Sequence, residues 1–264
     1  MTAANKTKSV SSETAVAPKI LLYDVESFPN EGWTWGTWDQ KVIKVRKRRM
    51  VCSIAWQWYP SHEKHVLALP DLPGYDPKKR TNVRLIKEFS KVLDQADIAV
   101  GHNIDQFDDP MVNTDILLNK LIPPMPHRSV DTLKFCRYKF RLNSNRLGDI
   151  CEELGIGKKL KHPGFQMWED CMAGKDAAWK VMKKYNAWDV DPLLRGLYEH
   201  IKPWMSNHPA LKVRGDVACS LCQSKRLQSR GMRTNRTGKV PTYQCQDCGH
   251  WMTGILVNKK WVIR

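Results

Sequence analysis

The sequence predicts a mixed α/β layer fold over residues 19–205, followed by a small β-type segment over 206–264. Three observations lead there. Strand-like runs crowd the first third of the chain, and strand–helix alternation takes over after about residue 80, the order expected of a sheet covered by helices. Two short apolar runs, KILLYDVES and DIAVGHN, read as buried strands. The charge also changes along the chain. Residues 206–264 hold 11 Lys and Arg against 2 Asp, a net +9, leaving +7 of the total +16 for residues 1–205.

The elements follow in order. Residues 1–18, polar and rich in small side chains, read as a disordered tail. KILLYDVES is a buried strand ending in acids. WTWGTW and QKVIKVRK alternate like half-exposed strands, with the basic run 44–49 at a hairpin tip, and MVCSIAWQWY is a longer strand. HEKHVLALP closes an antiparallel meander. NVRLIKEFSKVLDQA places Val83, Ile86, Phe89, Val92 and Leu93 on one helical face. DIAVGHN is a second buried strand, ended by Gly101, with a helix over about 110–120. SVDTLKF starts another strand–helix unit, and three further helical stretches run to about Trp204. SNHPALKVRGD reads as a linker.

Composition narrows the function classes. No apolar run approaches the roughly 20 residues that span a bilayer, so no membrane role is expected. The N-terminus has no apolar core of a secretory signal, which points to a reducing, cytoplasmic setting. A net charge of +16 and pI of about 9.5 suit a polyanionic partner, most simply nucleic acid.

Four of the eight cysteines form two CxxC pairs, Cys219 with Cys222 and Cys245 with Cys248, 22 residues apart. Each pair turns two thiolates toward one ion, and two pairs complete a tetrahedron. The segment resembles a zinc ribbon. Four thiolates leave no open coordination position, so one structural Zn²⁺ is expected, and His250 is not needed as a ligand. Between the pairs, Lys225, Arg226, Arg230, Arg233, Arg236 and Lys239 make a one-sided basic finger suited to phosphates.

Chemistry must then lie in the first domain. Asp24 and Glu26, two apart on a strand, share a face, and a cation between them would relieve their repulsion. Asp105, Asp108 and Asp109 lie just past the second buried strand, where open α/β sheets bind ligands, although Asp108 or Asp109 before Pro110 would also suit a helix cap. In KKYNAWDVDP, Tyr185 and Asp189 stand i and i+4 on one helical face.

Asp24-Val25-Glu26, then Asn103 with Phe107-Asp108, then Tyr185 to Asp189, in that order over residues 19–204, resemble the DEDD superfamily of 3′–5′ exonucleases, tyrosine subclass. The resemblance implies a ribonuclease-H-like mixed sheet flanked by helices. It implies Asp24, Glu26, Asp108 and Asp189 as ligands of two Mg²⁺ or Mn²⁺ ions, with Tyr185 orienting or deprotonating the attacking water. Asp24 would bridge both ions, with Glu26 and Asp189 on the nucleophile side and Asp108 on the other. Ser27 and Phe28 would contact the terminal nucleotide, with Asn103 and Phe107 beside them. Lys134, Arg137 and Arg141, at helical spacing, together with Asn143, Asn145 and Arg146, would follow the phosphate backbone, as would Arg226, Arg230 and Arg233.

The expected activity is metal-dependent 3′–5′ hydrolysis of DNA at single-stranded or frayed ends, releasing nucleoside 5′-monophosphates. RNA processing, structure-selective endonuclease action and a non-catalytic nucleic-acid-binding adaptor are the alternatives. An exonuclease domain with a basic zinc ribbon looks like the stand-alone exonucleases of bacteriophages, which would place it in host cytoplasm beside a replication polymerase or other replisome protein. Pro192, three residues past Asp189, is expected to bend or restart the helix, and Asp191 to cap it or face solvent.

Overall fold

A central strand, β1 (Ile20–Phe28), organises the domain because its odd and even residues serve different layers. The computed structural model describes residues 18–38, 41–205, 208, 209, 218, 219, 221, 222, 224–235, 238–257 and 260–263. The tail over 1–17, the boundary at Ser206, most of the linker 206–216, and Arg236 lie outside the described residues.

β1 pairs antiparallel with β4 (Met50–Tyr59), which pairs with β5 (Lys64–Ala68). On its other side β1 pairs parallel with β6 (Ile98–Gly101), which pairs with β7 (Arg128–Asp131). The sheet order is therefore β5-β4-β1-β6-β7. Leu21, Tyr23 and Val25 pack with α1 (Val83–Leu93), α2 (Asp108–Leu118), α5 (Gln166–Met172) and α6 (Asp176–Trp188). Ile20 and Leu22 pack with α3 (Thr132–Lys139), α4 (Leu147–Glu153) and α7 (Arg195–Ile201) on the opposite face. The result is a helix–sheet–helix sandwich of ribonuclease-H-like type, as the sequence predicted.

Local differences have physical reasons. Four helices, α4 to α7, stand where three were expected. α1 buries Leu85, Ile86, Phe89 and Leu93, while Val83 is exposed, because the helix face is rotated by about one position. The basic run 44–49 is the returning strand and base of a hairpin rather than its tip: β2 (Glu31–Trp33) pairs with β3 (Lys44–Lys47). α6 ends in an irregular turn over Asp189–Leu194, where Asp191 leaves helical geometry (φ −140°, ψ 114°) before Pro192, as the proline demands. Asp191 neither caps nor faces water; its carboxylate accepts from Gln57 Nε2 (2.8 Å) and ties this bend to β4.

The C-terminal segment is a sheet of order β11-β10-β9-β8, from β8 (Leu227–Asn235), β9 (Gly238–Cys245), β10 (Trp251–Val257) and β11 (Lys260–Ile263). Among the described residues, Cys219, Leu221, Cys245 and Met252 are buried together. No described helix is long and apolar enough to cross a membrane.

Candidate active site

The acids converge at the carboxyl end of β1. Asp24 and Glu26 point to the same side, and a bulge between Glu26 and Ser27 shifts the register with β4 before pairing resumes at Ser27 and Phe28. The last turn of α6 brings Asp189 against them. One ligand oxygen each of Asp24, Glu26 and Asp189 lies within 4.8 Å of the others. Asp108, the first residue of α2, is buried beside this group, and its Oδ1 accepts the Val25 backbone N–H (3.0 Å). It neighbours the cluster without joining it directly. Asp109 turns away to Tyr23 and His127, and Asp105 pairs with Lys134 (3.6 Å). Of the three aspartates in that loop, only Asp108 belongs with the other acids.

Crowded carboxylates in a dry site resist ionisation. Burial, then repulsion from Asp189, pushes the Asp24 carboxyl up to about 7. Burial and the charge of Asp24 raise Glu26 and Asp108 as well, and burial raises Asp189. Asp189 Oδ1 is buried without a hydrogen-bond partner. An orphaned buried carboxylate oxygen beside two more carboxylates is the donor set that a hard divalent cation requires.

Several residues escaped the sequence reading. Lys159 Nζ donates to Asp189 Oδ2 (2.6 Å) and Tyr185 Oη (2.9 Å), and lies 5.1 Å from the Tyr185 ring centroid. Burial lowers its pKa, but Asp189 and Tyr185 outweigh this and leave it above the usual lysine range. Gly148 makes room for the lysine stem, since a Cβ there would sit 2.8 Å from Lys159 Cγ. Asn186 Nδ2 donates to Asp24 Oδ2 (2.8 Å), while its own oxygen accepts from Ser53 Oγ (2.9 Å). That amide locks α6 to β1 across the sheet. Asp115, fully buried, accepts from the Val51 N–H (2.8 Å) and Asn82 Nδ2 (2.6 Å), and so fixes α2 and with it Asp108.

An open groove of about 920 Å³ leads away from the acids, lined by Asn103, Arg137, Asn143, Asn145, Arg146, Lys158 and Lys159 among others. Asn103 sits at φ 75°, in a turn that Asp131 braces by accepting the backbone N–H groups of Asn103 (3.1 Å) and Asp105 (3.3 Å). Gly101 is required there: a Cβ would meet Ile104 Cβ at 2.7 Å. His102 Nε2 donates to the Asn145 carbonyl (2.9 Å), holding the 143–147 stretch on this turn.

Some assigned substrate contacts do not fit. Phe28 is 5% exposed, with its ring 5.7 Å from Trp179 and Arg80 against it, so it is a core residue and no stacking platform for a base. Arg141 does not share the face of Lys134 and Arg137, because α3 ends at Lys139 and Phe140 is extended. Phe107 is 36% exposed ahead of α2 and does not line the groove. Ser27 is half-buried at the bulge. Lys134 and Arg137 border a smaller hollow beside Asn103.

At the other end, the Sγ atoms of Cys219, Cys222, Cys245 and Cys248 all lie within 4.8 Å of one another. Sharing a proton with Cys248 drives the Cys219 thiol down to about 4, which favours the thiolate a metal needs. His250 is buried and reaches the Pro203 carbonyl instead (3.3 Å). Arg226 pairs with Asp247 (2.6 Å), and Arg230 holds Gln244 and lies 5.7 Å from the Trp251 ring centroid, while Arg233 is exposed.

Residues 74–173 match the exonuclease family RNase_T. This stretch resembles an exonuclease domain. It runs from the approach to α1 through α5, and so contains Asn103, Asp108 and Lys159, while β1 and α6 deliver the remaining acids from either side. The family B DNA polymerase from the hyperthermophilic archaeon Pyrobaculum calidifontis is similar over 71% of this chain and 25% of its own length, at 18% identity and a TM-score of 0.48. The chain thus spans about a quarter of that polymerase. No curated protein matches it.

Proposed function

We propose that the protein is a metal-dependent 3′–5′ exonuclease that shortens DNA from single-stranded or frayed 3′ ends. The observation that carries this reading is the meeting of Asp24, Glu26 and Asp189 within 4.8 Å, with the Tyr185 hydroxyl held beside them through Lys159. Two Mg²⁺ or Mn²⁺ ions, held by Asp24, Glu26 and Asp189 with Asp108 at the margin, would supply charge relief at the scissile phosphate and a more acidic water.

The chain's own residues do the rest. Water attacks phosphorus and gives up a proton to solvent, the bond to the 3′-oxygen of the preceding nucleotide breaks with that oxygen taking up a proton, and a 5′-monophosphate leaves. Tyr185 orients that water. In the metal-free site burial and Asp189 push its pKa up to about 12, and bound cations would act in the opposite direction. Lys159 positions both Tyr185 and Asp189. Arg137, Arg146 and Lys158 line the groove where the phosphates of the strand would run. Cys219, Cys222, Cys245 and Cys248 would hold a structural zinc, whose binding would add to the stability of this segment.

End-labelled single- and double-stranded DNA and RNA, digested with and without Mg²⁺ or Mn²⁺, test the reading. Wild-type protein should produce a ladder shortening from the 3′ end of DNA. Faster digestion of RNA would transfer the proposal to RNA processing, and internal cuts would make it an endonuclease. Activity surviving in both Asp24→Ala and Asp189→Ala would remove this site from the chemistry.

A further inference from the structure

β2 and β3 form a two-stranded arm that leaves the sheet just past the acids. Its base is anchored: Lys47 pairs with Glu31 (2.8 Å), Arg80 bonds Glu31 and the Pro29 carbonyl, and the Arg49 N–H donates to Asn30 Oδ1 (2.6 Å). Gly32 lets the strands close, as a Cβ there would meet Val42 Cγ1 at 2.5 Å and the Lys44 carbonyl at 2.8 Å. Beyond that base the arm is bare. Trp33, Trp35 and Trp38 are 57%, 89% and 85% exposed, a cost in apolar surface that a free-standing hairpin has no reason to carry.

Cations predominate around these rings: Lys41, Lys44, Arg46, Lys47, Arg48 and Arg49 stand in the sequence against Glu31 and Asp39. Lys41, Lys44, Arg46 and Arg49 make no ion pair with any described acid, and the Arg46 guanidinium lies 5.1 Å from the Trp33 ring centroid. Aromatic faces interleaved with unpaired cations match the alternation of bases and phosphates along a single strand. The arm follows closely on β1: six residues lie between Glu26 and Trp33, at most about 25 Å of extended chain. A strand with its 3′ end at the acids therefore ends within about 25 Å of the start of the arm, whose residues do not line the groove beside Arg137 and Arg146.

We infer that the Trp33–Trp38 arm is a second nucleic-acid site, which stacks the bases of single-stranded DNA upstream of the scissile end. The inference rests on the exonuclease reading for its strand direction, but not for the binding itself. An anionic membrane surface is the rival occupant that the same residue types would suit.

The test is fluorescence anisotropy with the full chain in Mg²⁺-free buffer, using labelled 20-nucleotide and 3-nucleotide DNA strands. Trp35→Ala/Trp38→Ala should weaken the 20-mer by about tenfold per ring and leave trimer binding in place, and Trp→Phe at both positions should recover most of the loss. Arg46→Glu should flatten the salt dependence of 20-mer binding by about one unit of slope. Unchanged 20-mer affinity, an equal loss for the trimer, or Trp-dependent binding only to phosphatidylserine vesicles would overturn the inference. No cleavage is measured, so failure of the exonuclease reading would not alter these outcomes, and an active nuclease with unchanged strand affinity would sink the arm alone.

Discussion

Removing one charge from the acid cluster should stabilise the metal-free protein while destroying its activity. Asp24→Asn keeps the shape of the side chain, and its amide oxygen can accept the Asn186 bond now made by Asp24 Oδ2. In the native site the Asp24 pKa stands near 7 rather than 3.8. A group raised in this way contributes stability that is full below its unfolded pKa, near 4, and is lost as pH rises through the folded value, near 7. At about 1.4 kcal/mol per unit, the shift would be worth about 4 kcal/mol if Asp24 titrated alone. The acid shares protons with Glu26 and Asp189, so removing one carboxylate relieves the others in part only, and about 1–2 kcal/mol is the expected gain at pH 8. For a chain of this size that raises Tm by about 2–8 °C. Thermal unfolding of zinc-loaded, Mg²⁺-free protein at pH 5 and pH 8 reads it. The variant should gain at pH 8 and little at pH 5, and added Mn²⁺ should stabilise only the wild type. Nuclease activity should fall by more than the roughly 10–100-fold that loss of an outer-shell partner costs. A variant that is no more stable at pH 8, or that still cuts, would refute the electrostatic account.

Lys159→Met removes the cation that lowers Asp189, so the Asp189 pKa should rise and the acid limb of the pH–rate profile should move to higher pH, with kcat reduced. A reduced rate with an unmoved acid limb would leave Lys159 a merely structural role. Cys245→Ser should release one zinc per chain and raise amide exchange across β8–β10, while β1 and β4 keep their protection; exchange rising equally in both regions would show that the two parts unfold as one.

The acids were legible because each rests on a short-range rule. Asp24 and Glu26 follow from the two-residue period of a strand, and Tyr185 and Asp189 from the four-residue step of a helix. Pro192 announced the break after Asp189. Residues joined over long distances left no such trace. Lys159 lies in a loop among other lysines, and only the tertiary fold delivers it to Asp189, 30 residues on. Asn186 and Asp115 look like surface polar residues until Asp24 and Val51 are seen beside them. Phe28 misled for the same reason: Trp179, which buries it, is 151 positions away. Arg141 failed because helical spacing was carried two residues past the end of α3. The tryptophans of the hairpin arm were visible as letters, but their exposure was not.

The central claim is that Asp24, Glu26 and Asp189, with Asp108 behind them, form a site for two divalent cations. Calorimetric titration of Mn²⁺ into zinc-loaded protein measures it directly. The account predicts two Mn²⁺ per chain for the wild type and loss of both in Asp24→Ala, since that carboxylate's charge acts on both Glu26 and Asp108. Absence of Mn²⁺ binding in the wild type, or two ions retained without Asp24, would contradict it.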